Sequence, residues 1–369
     1  VDKLMMYFIG VFFLLGGIDY VLGNRFKLGE KFEEGIKTMG PLAIGMVGIY
    51  SLSPIISKIV AINIVPICRR LSLDPSIIPA MFLATDMGGY KMSCQLALNK
   101  QMAAFSGVII ASTVGTIISF TMPVALGMIS KDDRKYFSKG VMIGVISIPI
   151  GCFMAGIYQG IKSQILLWNL MPIFIFSMLL SIGLIKIPSI LIRIFNGIGK
   201  IIIVLSIIGL VIQGVDVIFG FKIVKGLAPL SESMLIVGKI AFVLAGAYPM
   251  LTFINIVFKE RFNKIGKSIG INSASVAGIL GNLASNLLTF GTYEKMNPKG
   301  KVVSTAFAVS GAFVFGGQFG FISGVEPSML ISFIIVKFIS GIISILLALW
   351  IYEWESKKYN TRKFGEVKA

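Results

Sequence analysis

The chain of 369 residues has no histidine and three cysteines. Without an imidazole there is no Ser-His-Asp or Cys-His catalysis, no HExxH zinc site and no histidine proton relay. Cys68, Cys94 and Cys152 share no metal-ligand spacing and read as small hydrophobes. No metal and no cofactor is expected. Charge is scarce as well: 14% of the residues are charged, where a soluble domain carries about 25%. Acidic residues number 17 against 34 basic ones. Gly266-Lys267-Ser268 looks like the end of a phosphate-binding loop, but Arg261 stands where that motif requires glycine, and no strand precedes it.

What fills the chain is apolar sequence, 56% of the residues with a mean hydropathy of +0.89. It falls into eleven blocks, at 4–22, 38–57, 76–98, 102–129, 140–161, 165–185, 201–221, 234–258, 274–293, 302–325 and 329–352. Each is close to the roughly 20 residues that cross a hydrocarbon core. The fold class expected is therefore an all-α, multi-pass integral membrane protein. Ten more blocks follow the first, which is expected to be a span and not a cleaved leader. Connections are short, so no soluble catalytic domain is expected and the chain is not read as an enzyme. The net charge of +17 is spread over the loops, as for basic cytoplasmic loops, and no nucleic-acid partner is implied.

Gly17-Ile18-Asp19-Tyr20-Val21-Leu22-Gly23 returns as Gly214-Val215-Asp216-Val217-Ile218-Phe219-Gly220 at an offset of 197. An offset of 198 carries Gly40, Tyr50 and Asp74-Pro75-Ser76 onto Gly238, Tyr248 and Asn272-Ser273-Ala274. A near-constant offset over this length predicts a duplication, of a kind common in transporters. The expected division is a first repeat at 1–161, a connecting span and loop at 162–200, a second repeat at 201–352 and a basic cytoplasmic tail at 353–369. If all eleven blocks span, Lys and Arg divide 15 to 16 between the faces. If blocks three and nine are re-entrant hairpins, the division becomes 23 to 8, with three inside blocks. The second arrangement has the bias of the positive-inside rule. It predicts nine spans plus two hairpins in inverted repeats, the N-terminus outside and the C-terminus inside.

Residues 76–85 make about 15 Å of helix, half the hydrocarbon thickness. Asp86-Met87-Gly88-Gly89 is then the tip of the first hairpin, with Tyr90 opening the return limb. Uncovered backbone at that depth is tolerated only where it lines a cavity or is buried in protein. An intramembrane carboxylate is a functional candidate by default, so Asp86, Gly88, Gly89 and Tyr90 are candidate binding residues for a small cation. The blander reading is an Asp86–Lys91 pair, or an aspartate capping the return limb. The matching tip supplies Asn282, Ser285 and Asn286 as neutral donors and acceptors, with interhelical hydrogen bonding as the structural alternative. Gln318, after Gly316-Gly317, is a candidate third wall. Asp19 and Asp216, with Tyr50 and Tyr248, are candidate gate residues; surface partners such as Arg25 are the structural alternative for the aspartates, and packing for the tyrosines. Gly140 and Gly144 form a GxxxG read as close helix packing.

Several stretches resemble the ethanolamine utilisation permeases of bacteria. They are Gly23-Asn24-Arg25-Phe26 with Gly29-Glu30-Lys31-Phe32-Glu33-Glu34-Gly35, Asp86-Met87-Gly88-Gly89-Tyr90, Phe120-Thr121-Met122-Pro123-Val124-Ala125-Leu126-Gly127, Ile148-Pro149-Ile150-Gly151-Cys152 and Met296-Asn297-Pro298-Lys299-Gly300-Lys301. The resemblance covers nearly the whole chain. It implies a membrane permease admitting ethanolamine to a pathway whose lyase is often enclosed in a protein microcompartment. Its expected partners are a small-molecule substrate, the lipid bilayer and, as a candidate, further copies of itself. The chain departs from the family pattern at Gly317-Gln318, where the family has Asp-His. The alternatives are an ion-coupled symporter of another small polar solute, separable by dependence on a Na⁺ or proton gradient, and a non-transporting receptor or scaffold, which gives no flux in liposomes.

Overall fold

The computed structural model describes the backbone of residues 2–366 and the side chains of residues 4–355. Among the described residues every regular element is helical. Helix α1 (Asp2–Val21) is followed by the short α2 (Gly29–Lys37), whose Lys31–Glu34 and Lys37–Glu33 pairs mark an exposed polar face. A short α3 (Met39–Leu42) and one wide π-type turn at Ala43–Val47 lead into α4 (Gly48–Arg70).

Block three is broken into α5 (Ile77–Phe82) and α6 (Tyr90–Leu96), and its two ends lie side by side. Asp74 joins them: its Oδ1 accepts from the backbone N and the Oγ of Ser76 (3.0 and 2.6 Å), and its Oδ2 accepts from Leu98 N (3.1 Å). Ser93 Oγ also donates to Ser76 O at 2.9 Å. This block is a hairpin. Helix α7 (Lys100–Ala104) then runs through wide π-type turns at Phe105–Gly115 and Ile117–Thr121 into α8 (Met122–Met128). The segment from Phe105 to Ile118 is buried throughout and forms the middle of the core.

Around it stand α9 (Arg134–Tyr158), α10 (Ser163–Lys186), α11 (Pro188–Phe219) and α12 (Leu230–Ser268). Block nine is the second hairpin, α13 (Ser273–Asn282) and α14 (Asn286–Gly291). Asn272 Nδ2 donates to Lys295 O at 2.8 Å and Asn297 Nδ2 to Gly270 O at 2.9 Å, so its ends adjoin too. Asn99 and Asn297, 198 positions apart, each cap the helix that follows by accepting from Met102 N and Gly300 N.

Block ten differs from expectation. Instead of one continuous helix it forms α15 (Pro298–Ser310) and α16 (Gly317–Val325), separated by a break. Glycines at 311, 316 and 317 weaken the helix there, and Phe313 takes a positive φ of 67°. The final helix, α17 (Leu330–Glu366), continues past residue 352 as helix, while the side chains of most of the expected basic tail fall outside the described residues. Among the described residues eight continuous helical stretches, not nine, are long and apolar enough to cross a membrane. The difference is the interrupted block ten.

The GxxxG of α9 packs directly on α15. A Cβ at Gly140 would stand 2.4 Å from Thr305 Cβ, and one at Gly144 2.7 Å from Ala306 O. The buried Lys301–Asp133 ion pair (2.5 Å) ties α15 to the loop before α9.

Arg69 and Asn99 share the wall of one small cavity of about 270 Å³ beside the foot of the first hairpin. Single cysteines at 69 and 100, in a chain cleared of its native cysteines, are therefore expected to react with an impermeant thiol reagent from the same face of the membrane. Labelling from opposite faces would refute the hairpin.

Candidate functional site

The first tip is shaped by backbone demands. After Phe82 the chain leaves helical geometry at Leu83 and Ala84, and Gly88 takes a φ of +92° that other residues rarely adopt. Exposed amides are re-satisfied locally: Met87 N and Gly89 N both donate to Ala84 O, and Ala84 N donates to Ser119 Oγ. Thr85 Oγ1 donates to Gly107 O, fastening the tip to the core segment. Asp86 sits half-exposed within this turn.

The Asp86 carboxylate forms no ion pair among the described residues. Lys91, its alternative partner on the sequence, instead binds Glu232 at 2.5 Å. What lies opposite Asp86 is the start of α16: a Cβ on Gly317 would stand 3.9 Å from Asp86 Oδ2. Gln318 follows, buried, with Nε2 donating to Thr116 Oγ1 at 2.6 Å and Oε1 left without a partner. Thr116 Oγ1 in turn donates to Ala111 O across one wide turn. Such turns recur at functional sites.

The second tip reaches this region through the break in block ten. Phe313 N and Phe315 N donate to Asn282 O and Leu283 O, each at 2.8 Å. Its side chains are largely engaged. Asn282 is fully buried, accepting from Thr289 Oγ1 and donating to Ser304 O. Ser285 caps α14 by accepting from Leu287 N. Asn286 Nδ2 donates to Thr121 Oγ1 and Ala308 O, while its Oδ1 is buried without a partner. The two tips are thus bridged by the 311–317 segment.

Sequence reasoning missed Lys337. It is 1% exposed near the start of α17 and donates to Ser112 O at 2.5 Å, in the electrostatic surroundings of Asp86 but not paired with it. Its signal is legible: a lone lysine eight residues into an otherwise apolar block. Two carboxylates past the tip were missed as well. Glu232 accepts from both Tyr50 Oη (2.8 Å) and Lys91, whose ammonium stands 5.2 Å from the Tyr50 ring. Glu326 accepts from Tyr90 Oη at 3.1 Å, and the Tyr90 ring meets Phe321 edge to face.

The other gate candidates are placed differently from one another. Asp19 is buried and accepts from the backbone N of Phe26, Leu28 and Gly29, holding the loop before α2. Asp216 is half-exposed near the end of α11. Tyr248 is half-buried against the core from α12.

A profile of the family described as "Ethanolamine utilisation protein, EutH" matches residues 1–351. The chain is 38% identical over 368 residues to the "Probable ethanolamine permease EutH" of Listeria monocytogenes, covering 100% of this chain and 99% of that one. It is 36% identical over 362 residues to the "Uncharacterized protein YxeR" of Bacillus subtilis, covering 98% of each. The "Probable ethanolamine permease EutH" of Salmonella typhimurium is 32% identical over 387 residues, with 95% of each chain covered. No solved structure matches significantly.

Two glycines of the site predict opposite tolerances. A Cβ at Gly89 would lie 2.4 Å from Leu83 O and 2.7 Å from Ala84 O, both backbone, whereas at Gly317 it meets only Asp86 Oδ2 at an ordinary distance. Gly89→Ala is expected to lower stability by about 2 kcal/mol or more, and Gly317→Ala by less than about 0.5 kcal/mol. Thermal unfolding in detergent compares them; equal melting temperatures would contradict this tip geometry.

Proposed function

The chain belongs to the EutH family of ethanolamine utilisation proteins, and from that premise we propose that it is a permease that passes protonated ethanolamine through a site centred on Asp86. One observation carries the reading: a carboxylate without an ion pair, on an unwound tip, facing a break in a second helix. Ethanolamine is a two-carbon ammonium with a hydroxyl, and an aliphatic amine is protonated at pH 7. Its ammonium pairs with Asp86, offsetting a desolvation cost of several kcal/mol. Its hydroxyl donates to a buried acceptor left open, Gln318 Oε1 next to Gly317 or Asn286 Oδ1 at the second tip. Gly88 and Gly89 let the backbone turn close to the ligand, and Tyr90 begins the limb beyond it.

Glu232 and Glu326 add carboxylates beside Tyr50 and Tyr90, Glu232 being held by Lys91 and Glu326 by the Tyr90 hydroxyl. No pump is required. On the orientation that the charge bias favours, with the C-terminal end inside, an inside-negative potential favours entry of one positive charge by about 2.3 kcal/mol per 100 mV.

Asp86→Asn keeps the size of the side chain and removes its charge. Loss of one partner of a buried pair costs about 3–5 kcal/mol, more than about a hundredfold in affinity. Saturable ethanolamine uptake into liposomes is therefore expected to vanish in a variant that still purifies as a folded protein. Near-normal apparent affinity would make Asp86 structural.

The amine sets a second test. Free-base ethanolamine crosses a bilayer unaided, and its fraction falls about a hundredfold between pH 8 and pH 6 because the amine titrates above both. Cells lacking this protein are expected to grow on scarce ethanolamine at alkaline pH and fail at mildly acidic pH, with rescue by the restored gene. Collapsing the membrane potential slows the rescued uptake. A benefit confined to alkaline pH would mean that the cation is not the transported species.

A further inference from the structure

Away from the Asp86 site, a cavity of about 970 Å³ opens among the first turns of α9, the last turn of α10 and the first turns of α11. Its polar wall is basic: Lys131, Arg134, Lys135, Lys139 and Arg193, with Glu355 as the acid among them. Glu355 is engaged by Lys139 in an ion pair. The other four cations have no ion pair among the described residues, and Lys135 rests over the Tyr136 ring. The Nε of Arg134 is buried and has no hydrogen-bond partner. A buried guanidinium donor left open is costly and calls for an acceptor.

Apart from Ser138 and Ser189, the remaining wall is apolar, including Met142, Leu184, Ile185 and Ile192. All three helices are membrane-crossing by length and composition, and the cavity lies where they end. A pocket there faces headgroups on one side and acyl chains on the other.

We propose that this cavity binds an anionic phospholipid, its phosphate held by Arg134, Lys135 and Arg193 and its acyl chains along the apolar wall of α10 and α11. Guanidinium forks match phosphate geometry in two-point contacts, and basic pockets between membrane helices take acidic headgroups. A free phosphate would satisfy the cations but leave the apolar wall uncovered; a zwitterionic lipid would cover that wall but oppose four unpaired cations with a headgroup of no net charge. The site is independent of the substrate reading, since none of its residues touches the Asp86 region.

The test is native mass spectrometry of the full chain released from vesicles of equal parts dioleoylphosphatidylglycerol and dioleoylphosphatidylcholine. The wild-type chain is expected to retain the anionic phosphatidylglycerol preferentially. Arg134→Gln with Arg193→Gln is expected to reduce that preference about tenfold. Because Arg134 is partly buried, a second pair, Lys135→Gln with Arg193→Gln, changes only exposed side chains and is expected to reduce the preference in the same direction. Added inorganic phosphate should leave the retained lipid in place. A preference unchanged in the second pair, no preference in the wild type, or full displacement by phosphate overturns the proposal, the last by marking a free-anion site.

Discussion

Satisfaction of backbone amides in a chain with almost no water-facing interior is the constraint on which everything else rests. A membrane interior offers no solvent partner for a free N–H or C=O, so each interruption of a helix must be answered by another part of the protein. Three interruptions occur in the core, at 83–89, 283–285 and 311–316. The second and third answer each other through Phe313 N to Asn282 O and Phe315 N to Leu283 O. The first is answered by Ser119 Oγ and by its own carbonyls. The breaks therefore come together, and where they do, polar groups can stand in the core without lipid contact.

The same constraint explains the feet of the hairpins. Asp74 and Asn272 lie 198 positions apart, and both use a side-chain oxygen to hold the start of a hairpin and its end together. Asn99 and Asn297 share that offset and cap the following helices. An arrangement of hairpin plus irregular helix thus occurs at 74–128 and again at 272–325. At the first place the irregular helix stays continuous by widening its turns; at the second it breaks. Phe313 at φ 67° stores strain of about 1–3 kcal/mol in that break, held by its bond to the second tip.

Much of this is legible in the amino-acid sequence. Both hairpins follow from the distribution of Lys and Arg together with block lengths, because charge bias and helix rise are global properties that survive local detail. Asp86 stands out because a carboxylate in an apolar block has few ordinary explanations. The break in block ten is not legible: Gly311 and Gly316-Gly317 are common enough in membrane helices to pass as packing residues. Pairing across the fold is beyond reach for the same reason that it matters. Lys91 lies five residues from Asp86 yet binds Glu232, 141 positions away. Asn282 and Asn286 are readable as polar, but not that Thr289, Ser304 and Thr121 engage them.

The two tips, though alike in outline, are unequal in chemistry. Position 86 is aspartate, while Ala284 occupies the place 198 residues on. The second tip's side-chain amides are mostly spent on neighbouring segments, Asn282 on Ser304 O and Asn286 on Thr121 Oγ1 and Ala308 O, so it brings no charge to the meeting of the tips. On the proposed reading this inequality is useful. Two carboxylates at the meeting of the tips would repel each other and bind a single ammonium too tightly to release it. One carboxylate avoids that. Lys337 Nζ donates to Ser112 O and forms no ion pair with Asp86 among the described residues, so the Asp86 oxygens stay open to the substrate. The ammonium is then held by a single carboxylate, itself half-exposed, with neutral acceptors for the hydroxyl. A facilitator needs affinity of that moderate order, because a substrate held by two charges would be captured from one side of the membrane and released slowly to the other.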